Sequence, residues 1–587
     1  MPVIYTFGRR IAFFLICWSI LTYFSEDKMT ADCYTHLLIP EIMLSDADIT
    51  FNKWVPPSGK LPYWLIRSSR FPDQIVSMYP PATGLIFSPF YYVYNYFEET
   101  VQRIPRIIGL KVAVLWMALA GLFFLMAIEQ AGISSGRSIL YGILFVFGTA
   151  CWSTGAGGLW QHTAGLLMLT LFLWVFFCGF RSKKYFVLSG IPLSLAAACR
   201  PTNGIFIVAV VMFLFIRERK YLGPFLCAIL PVTILAIGYN LHYFGQPFIG
   251  GYSGDKGGFT YPFWGGFLGL FFSPSKGIFP ITPFWIFSPF LFIKGCRHNR
   301  PFKENAITAF LMASLFVILI YSKWYFWWGG LSYGYRIISD ISPFMTLSAI
   351  WYIEKHVSKV KIARTIFVIL SVMSITNQMV FYTSSGYYPW HAKYDRENAF
   401  DADHYREHPF PPLLWSFSNS QVLFHYKDTI RALGVWGLMD HRFFRRGALD
   451  VEVFRDNMLV VKGYDKQINH ELKDYMIPGL LRARWSGYLL PDINPVKFRL
   501  TSNDKIQLQI GLQKWPVGQR WEEKEIVTPD IAFNNRPESL DVLMVDRGGP
   551  AFIKFEYWNG NYWSVIPESF FYYRDSGVVS PVAGKDE

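Results

Sequence analysis

Residues 107–128 read IIGLKVAVLWMALAGLFFLMAI, an apolar run interrupted by a single lysine. Wound as an α-helix at about 1.5 Å per residue it reaches roughly 33 Å, close to the thickness of a bilayer's hydrocarbon core. A helix packed on a soluble core keeps one polar face, and this run has none, so its solvent is lipid. Working outward, comparable runs lie near 11–24, 138–154, 163–180, 185–199, 204–216, 221–243, 279–293, 304–322, 337–352 and 363–381. They predict a polytopic α-helical membrane domain of about eleven spans over residues 1–381. The first run follows Arg9 and Arg10 and lacks a small-residue cleavage site, so it reads as a retained span.

Composition agrees. The chain has 587 residues, of which 52% are hydrophobic and 17% charged, too apolar for an ordinary soluble protein. A net charge of +13 raises the question of a nucleic-acid partner. In the first two thirds, however, the basic residues sit in short connections: Arg9 and Arg10, Arg137, Arg181 to Lys184, Arg217 to Lys220, Lys294 to Lys303, and Lys355 to Arg364. These fall on one side when spans alternate in direction, and the positive-inside rule makes that side the cytoplasm. The N-terminus is then cytoplasmic, the C-terminal third lies outside, and no nucleic-acid partner is expected. No cysteine follows Cys296, so that C-terminal third uses no disulfide.

Two external segments are long: 25–106 and 245–278. Within the first, residues 80–97 are apolar and dense in Tyr and Phe, which predicts a helix lying at the membrane interface. After residue 381 the long apolar blocks stop. Residues 382–448 are polar and aromatic without a clear period, an extracytoplasmic connecting segment. From 449 to 587, alternating runs such as Leu449–Phe454, Lys497–Leu500 and Ile506–Ile510 predict an extracytoplasmic β-sandwich.

Chemistry at a membrane surface on a lipid-linked phosphate needs a proton acceptor and an anion site. Asp32 follows the first span closely in ADCYTHLLIP, and Asp46 and Asp48 come later in MLSDADITF. The latter two read more readily as solvated carboxylates or helix caps, and stand as accessory acidic candidates. Cations are scarce at the outer ends of spans, yet Arg200 stands in CRPTNG, Lys276 in FFSPSKGIF and Arg336 in WWGGLSYGYR. One such cation snorkels to headgroups; three beside Gly/Pro-rich turns and aromatics suit a phosphate clamp. His162 in LWQHTAG reads equally as a phosphate donor or a packing histidine.

In that order, the acidic residue after the first span, MYPPATG, LWQHTAG, CRPTNG, FFSPSKGIF and WWGGLSYGYR resemble the GT-C class of multi-spanning bacterial glycosyltransferases, related to the dolichyl-phosphate-mannose:protein mannosyltransferase type. The resemblance covers roughly residues 1–381. It implies transfer of a sugar from a polyprenyl-phosphate donor to an acceptor hydroxyl on the non-cytoplasmic face of the inner (plasma) membrane, with inversion. It also implies Asp32 as general base, with Arg200, Lys276, Arg336 and His162 at the donor phosphate. The acceptor is a glycan, lipid or protein. Where the mannosyltransferase type often has a second adjacent acid, Cys33 follows Asp32, and any need for a divalent cation stays open.

RARWSGYLLP, KFRLTSNDKIQLQIG and AFIKFEYWNG resemble, in order, the protective-antigen-type carbohydrate-binding β-sandwich. Trp485, Tyr488 and Trp515 are the candidate sugar contacts. Where sugar-binding members hold calcium on two aspartates, this chain has Asn503 and Asp504, and a purely structural sandwich is an equal reading. The run Asp401, Asp403, His404 and His408 carries ligand-type side chains, but no second cluster completes it and it reads as a loop. No phosphate-cradling loop, zinc-spaced cysteine pair or nucleophile elbow occurs. The rival functions are a transporter or flippase of lipid-linked sugars and a membrane-anchored carbohydrate-binding protein.

Overall fold

The computed structural model describes residues 2–25, 29, 31–46, 48–54, 61–62, 64–97, 105–248, 250–254, 258–294, 301–330, 332–383, 410–432, 449–455, 458–465, 469–471, 481–489, 496–510, 513–515, 522–531, 538–546, 552–558, 563–566 and 571–572. The chain forms two compact units. The first comprises Met1–Asn52, Tyr63–Phe97 and Pro105–Thr429; the second comprises Lys53–Pro62, Glu98–Ile104 and Ile430–Glu587.

Among the described residues, five helices are long and apolar enough to cross a bilayer: Arg106–Ala131, Gln161–Cys178, Arg219–Phe244, Phe302–Tyr321 and Lys361–Tyr382. The third buries only 6% of its apolar window inside the protein. It leaves Leu226, Leu230, Ile234, Leu235 and Leu241 on the surface. Water does not tolerate a continuous apolar face of that kind, so this is an integral membrane protein.

The other apolar runs take different forms. Residues 11–23 of the first run lie in a helix over Pro2–Tyr23. The run at 337–352 gives the helix Ser342–Lys355, in which Ser342 to Ile353 are all buried. Phe344 there stacks on Phe206 at 4.0 Å and meets Phe310 at 5.4 Å, so protein surrounds this helix on every side. The run at 279–293, expected as one span, is three short pieces: Ile278–Ile281, a 3-10 turn over Pro283–Phe287, and Phe290–Lys294. Pro280, Pro283 and Pro289 explain the breaks, since each removes a backbone N–H and clashes with the preceding turn. Residues 80–97 give a helix over Ala82–Phe97.

The basic connections that alternation assigns to one side are tied together. Arg9 and Arg10 both bind Glu129, and Arg137 binds Glu354. Lys303 donates to the carbonyls of Gln130 and Ala131, and Lys355 to that of Gly132. Between the first and second of the apolar runs, a small hairpin pairs Leu65–Arg67 with Ile75–Ser77, and the Ser68 hydroxyl donates to the Tyr243 carbonyl at 2.6 Å.

The second unit carries eleven described strands joined in one network of pairings. Its axis is the strand Phe498–Ile510, which merges two of the alternating runs. Its first half pairs with Phe552–Trp558 and its second half with Glu538–Asp546, with an irregularity between Thr501 and Lys505 in its pairing to Glu522–Val527. Phe498, Leu500, Ile506, Leu508, Val542 and Phe555 form its buried side.

Candidate functional site

Within the helical unit the separated motifs meet. Asp32 sits in a 3-10 turn over Ala31–Cys33 that leads into the helix Tyr34–Asp46. Arg106 steadies this turn from both ends, donating to the Tyr34 hydroxyl at 2.9 Å and to the Met29 carbonyl at 3.2 Å. The Asp32 carboxylate accepts from Arg336 Nη1 at 2.9 Å across 304 positions of chain. Both side chains are partly exposed, 19% for Asp32 and 11% for Arg336. The Arg336 Cζ lies over the Trp160 ring, 4.3 Å from its centroid, and Nη2 donates to the Gly329 carbonyl at 2.8 Å. A guanidinium held by a carboxylate, a ring face and a carbonyl has little rotational freedom.

Lys276 approaches from the turn after the helix Phe263–Phe272. Its ammonium donates to the carbonyls of Gly330, at 3.2 Å, and of Ser332. Burial pushes its pKa well below 10.5, and the charge of Arg336 adds to that. The loop 329–334 therefore offers carbonyls to both cations. It can do so because Gly329 and Gly330 have φ of +72° and +60°. A side chain at Gly330 would place its Cβ 2.6 Å from the Phe326 ring.

Arg200, His162 and Asp340 form a second, buried cluster. Arg200 Nη1 donates to Asp340 Oδ2, and His162 Nδ1 lies 3.1 Å from that Nη1 and 3.2 Å from the same Oδ2; Arg200 Nη2 donates to the Tyr321 hydroxyl and the Ile337 carbonyl. Its backbone is extended between Gly190–Cys199 and the 3-10 turn Pro201–Asn203, which aims the guanidinium inward. The two clusters share supports. Residues 160–162 give Trp160 to Arg336 and His162 to Asp340, and one 3-10 segment, Arg336–Ile341, carries both Arg336 and Asp340. A π-helical turn, Cys151–Gly155, precedes the first of these. Gln161 bonds the Tyr252 hydroxyl at 3.2 Å, and the Tyr252 ring lies 6.1 Å from that of Tyr79 in MYPPATG. His36, one turn beyond Asp32, is buried; burial pushes its imidazole down to about 4 against the pull of Asp32, so it is neutral at physiological pH.

The remaining candidates lie apart from this site or beyond description. Asp48 turns back on its own chain, accepting from Ile49 N at 2.7 Å and from the Thr50 hydroxyl. Asp46 ends the helix Tyr34–Asp46, and its side chain falls outside the described residues. So do the side chains of Trp485 and Tyr488 on the strand Leu481–Leu489, and of Trp515 on Gln513–Trp515. Asn503 and Asp504 are on the strand Phe498–Ile510, also without described side chains, and Asp401, Asp403, His404 and His408 lie outside the described residues altogether. Among the described residues no cluster of His, Cys, Asp and Glu could hold a metal ion. Sequence reasoning missed Trp160, His36 and Asp340. The first two are ordinary apolar-face residues by pattern, and Asp340 falls inside a run read as a span.

No protein-family model matches the chain, and no curated protein does. Among solved structures, an anti-sigma factor domain-containing protein is 17% identical over 24% of this chain, at a TM-score of 0.20. The chain spans 51% of that protein's length. A PA14 sugar-binding domain from RTX adhesin is 12% identical, over 22% of this chain and 100% of that domain, at 0.18. The archaeal oligosaccharyltransferase AglB from Archaeoglobus fulgidus is 10% identical, over 95% of this chain and 97% of that one, at 0.40. At TM-scores this low, none of the three assigns a fold or an activity to the chain.

Proposed function

We propose that the protein is a membrane glycosyltransferase that moves a sugar from a polyprenyl-phosphate donor to an acceptor hydroxyl on the non-cytoplasmic face. The observation that carries this reading is the partly exposed Asp32–Arg336 pair with Lys276 close behind it. A carboxylate, a guanidinium and an ammonium set so close together provide a proton acceptor and an anion clamp in one place.

A phosphate arriving at Arg336 supplies the negative charge that Asp32 now provides, and so releases the carboxylate toward the acceptor. The acceptor hydroxyl gives its proton to Asp32 while its oxygen attacks the anomeric carbon. The bond from that carbon to the phosphate oxygen breaks with its electron pair, and the lipid phosphate leaves with its charge on Arg336 and Lys276. A single displacement of this kind inverts the anomeric centre. Arg200 and His162 act behind this clamp: through Asp340 they fix the segment that carries Arg336. Each step is positioning, one base and charge stabilisation, which phosphate as leaving group requires.

The test is transfer of labelled sugar from a panel of polyprenyl-phosphate donors in membranes holding wild type or Asp32→Asn. The variant should lose at least about 100-fold in rate at unchanged protein level, the scale of a general base. Equal transfer by both removes Asp32 from the mechanism. A second reading, a transporter of lipid-linked sugars, draws on the buried Arg200–Asp340–His162 cluster, because transporters place ionisable groups in the protein interior at broken helices. Donor uptake into vesicles without sugar transfer would favour it.

A further inference from the structure

The loop 329–334 presents carbonyls to both cations, yet its glycines leave it little conformational preference of its own. Something outside it must fix its shape. Part of the answer is local: the Ser332 hydroxyl donates to the Gly329 carbonyl at 3.0 Å. The rest comes from beyond the last apolar helix. Gln421 opens the helix Gln421–Ala432 and is fully buried. Its side-chain Nε2 donates to the Ser332 carbonyl at 3.1 Å, and its Oε1 accepts from Gly334 N at 3.2 Å. Its backbone N–H donates to the Ser275 hydroxyl at 3.1 Å. Ser275 adjoins Lys276, and the Ser332 carbonyl also accepts from the Lys276 ammonium. One residue thus bridges the turn that carries Lys276 and the loop that orients both cations. Nearby, the Leu414 carbonyl accepts from the Ser273 hydroxyl at 2.6 Å, so the same segment grips the Lys276 turn at two points.

We propose that Gln421 is a positioning residue for the anion site, setting the separation of Lys276 and Arg336 without touching the phosphate. The inference rests on the reading above, that these two cations hold a lipid phosphate. A side-chain amide suits the task because it offers a donor and an acceptor at once, matched to a carbonyl and an N–H two positions apart.

The test uses the full-length protein in detergent, titrated with a long-chain polyprenyl phosphate and read by tryptophan fluorescence, to which Trp160 under Arg336 contributes. Lys276→Ala and Arg336→Ala should abolish binding. Gln421→Ala should weaken the Kd about tenfold, the scale of two lost hydrogen bonds, with the full fluorescence amplitude; the same loss lowers its Tm, so Kd is read well below the melting temperature. A residue that merely supports folding would lower the amplitude and leave Kd alone. Should Gln421→Ala fail to fold, Gln421→Met carries the test: it keeps the size, removes both the donor and the acceptor without adding charge, and should weaken Kd to the same degree. Wild-type Kd in the Gln421 variants, with binding lost in Lys276→Ala and Arg336→Ala, overturns the positioning role. Wild-type binding in Lys276→Ala and Arg336→Ala overturns the anion site itself.

Discussion

Asp340 shows how one side chain sets the character of the interior. It is almost wholly enclosed, and it neutralises an Arg200 that is equally enclosed. Replacing it by asparagine keeps the shape but leaves a guanidinium buried without its counter-charge, which costs about 3–5 kcal/mol. Asp340→Asn should therefore lower the thermal unfolding temperature in detergent clearly, and Arg200→Met/Asp340→Leu should recover most of the loss, because a buried pair replaced by apolar groups is near neutral. A double variant no more stable than Asp340→Asn would show that the pair's worth lies elsewhere. Asp32, Lys276 and Arg336 stood out in the sequence because Asp32 follows the first apolar run closely and cations are scarce at the ends of runs that alternation assigns to the outer side. Asp340 was not, since within IISDISPF it reads as one tolerated polar residue in a span.

At the scale of elements, hydropathy marks where helices are but not what surrounds them. Residues 221–243 and 337–352 were read alike, yet one helix is nearly bare and the other is enclosed by protein. Lipid and packed side chains are equally apolar neighbours, so composition cannot separate the two cases. The broken stretch 278–294 raises a different problem, because carbonyls released from helical pairing inside a membrane need other donors. Asn377, on the helix Lys361–Thr383, supplies two: its Nδ2 donates to Pro280 O at 2.9 Å and Ile281 O at 3.0 Å, while its Oδ1 accepts from the Tyr426 hydroxyl at 2.9 Å. Asn377→Ala should destabilise the helical unit by about 1–3 kcal/mol, the cost of buried polar groups left unmade. Thermal unfolding in detergent checks this, and a shift no larger than that of a neighbouring lipid-facing alanine variant would refute the staple. The prolines announced that this stretch is broken; nothing in its own residues named a partner nearly a hundred positions away.

For the molecule as a whole, the two units answer to different conditions. In the strand unit, Glu556 is enclosed between Arg499, at 2.7 Å, and Lys554, at 2.7 Å. Burial alone would raise its pKa, but hydrogen bonds from Lys554 and Arg499, and then their charges, outweigh it and hold the carboxyl below 4.5. A carboxylate with a depressed folded pKa gives stability that is present above its unfolded value and is lost as pH falls through the folded one. Acidification below about pH 4.5 should weaken the strand unit through this group, and Glu556→Gln should be less stable at neutral pH but lose less on acidification. Circular dichroism of the strand signal during thermal unfolding across that range checks it; parallel acid losses in both proteins would exclude Glu556. The strand unit's existence was legible from alternating runs, and its long central strand was not, because two such runs with polar residues between them look like separate strands.

The helix Gln421–Ala432 has a meaning in time as well as in space. Chains are made from the N-terminus onward, and domains form as their residues emerge. Asp32, Trp160, Lys276 and Arg336 are all synthesised before residue 421 exists, so a nascent chain carries every charged part of the proposed clamp before Gln421 can bond Ser332 and Gly334. On the proposed reading the setting of that loop waits for residue 421, and a chain halted after the helix Lys361–Tyr382 would carry Asp32, Lys276 and Arg336 yet bind polyprenyl phosphate at least about tenfold more weakly.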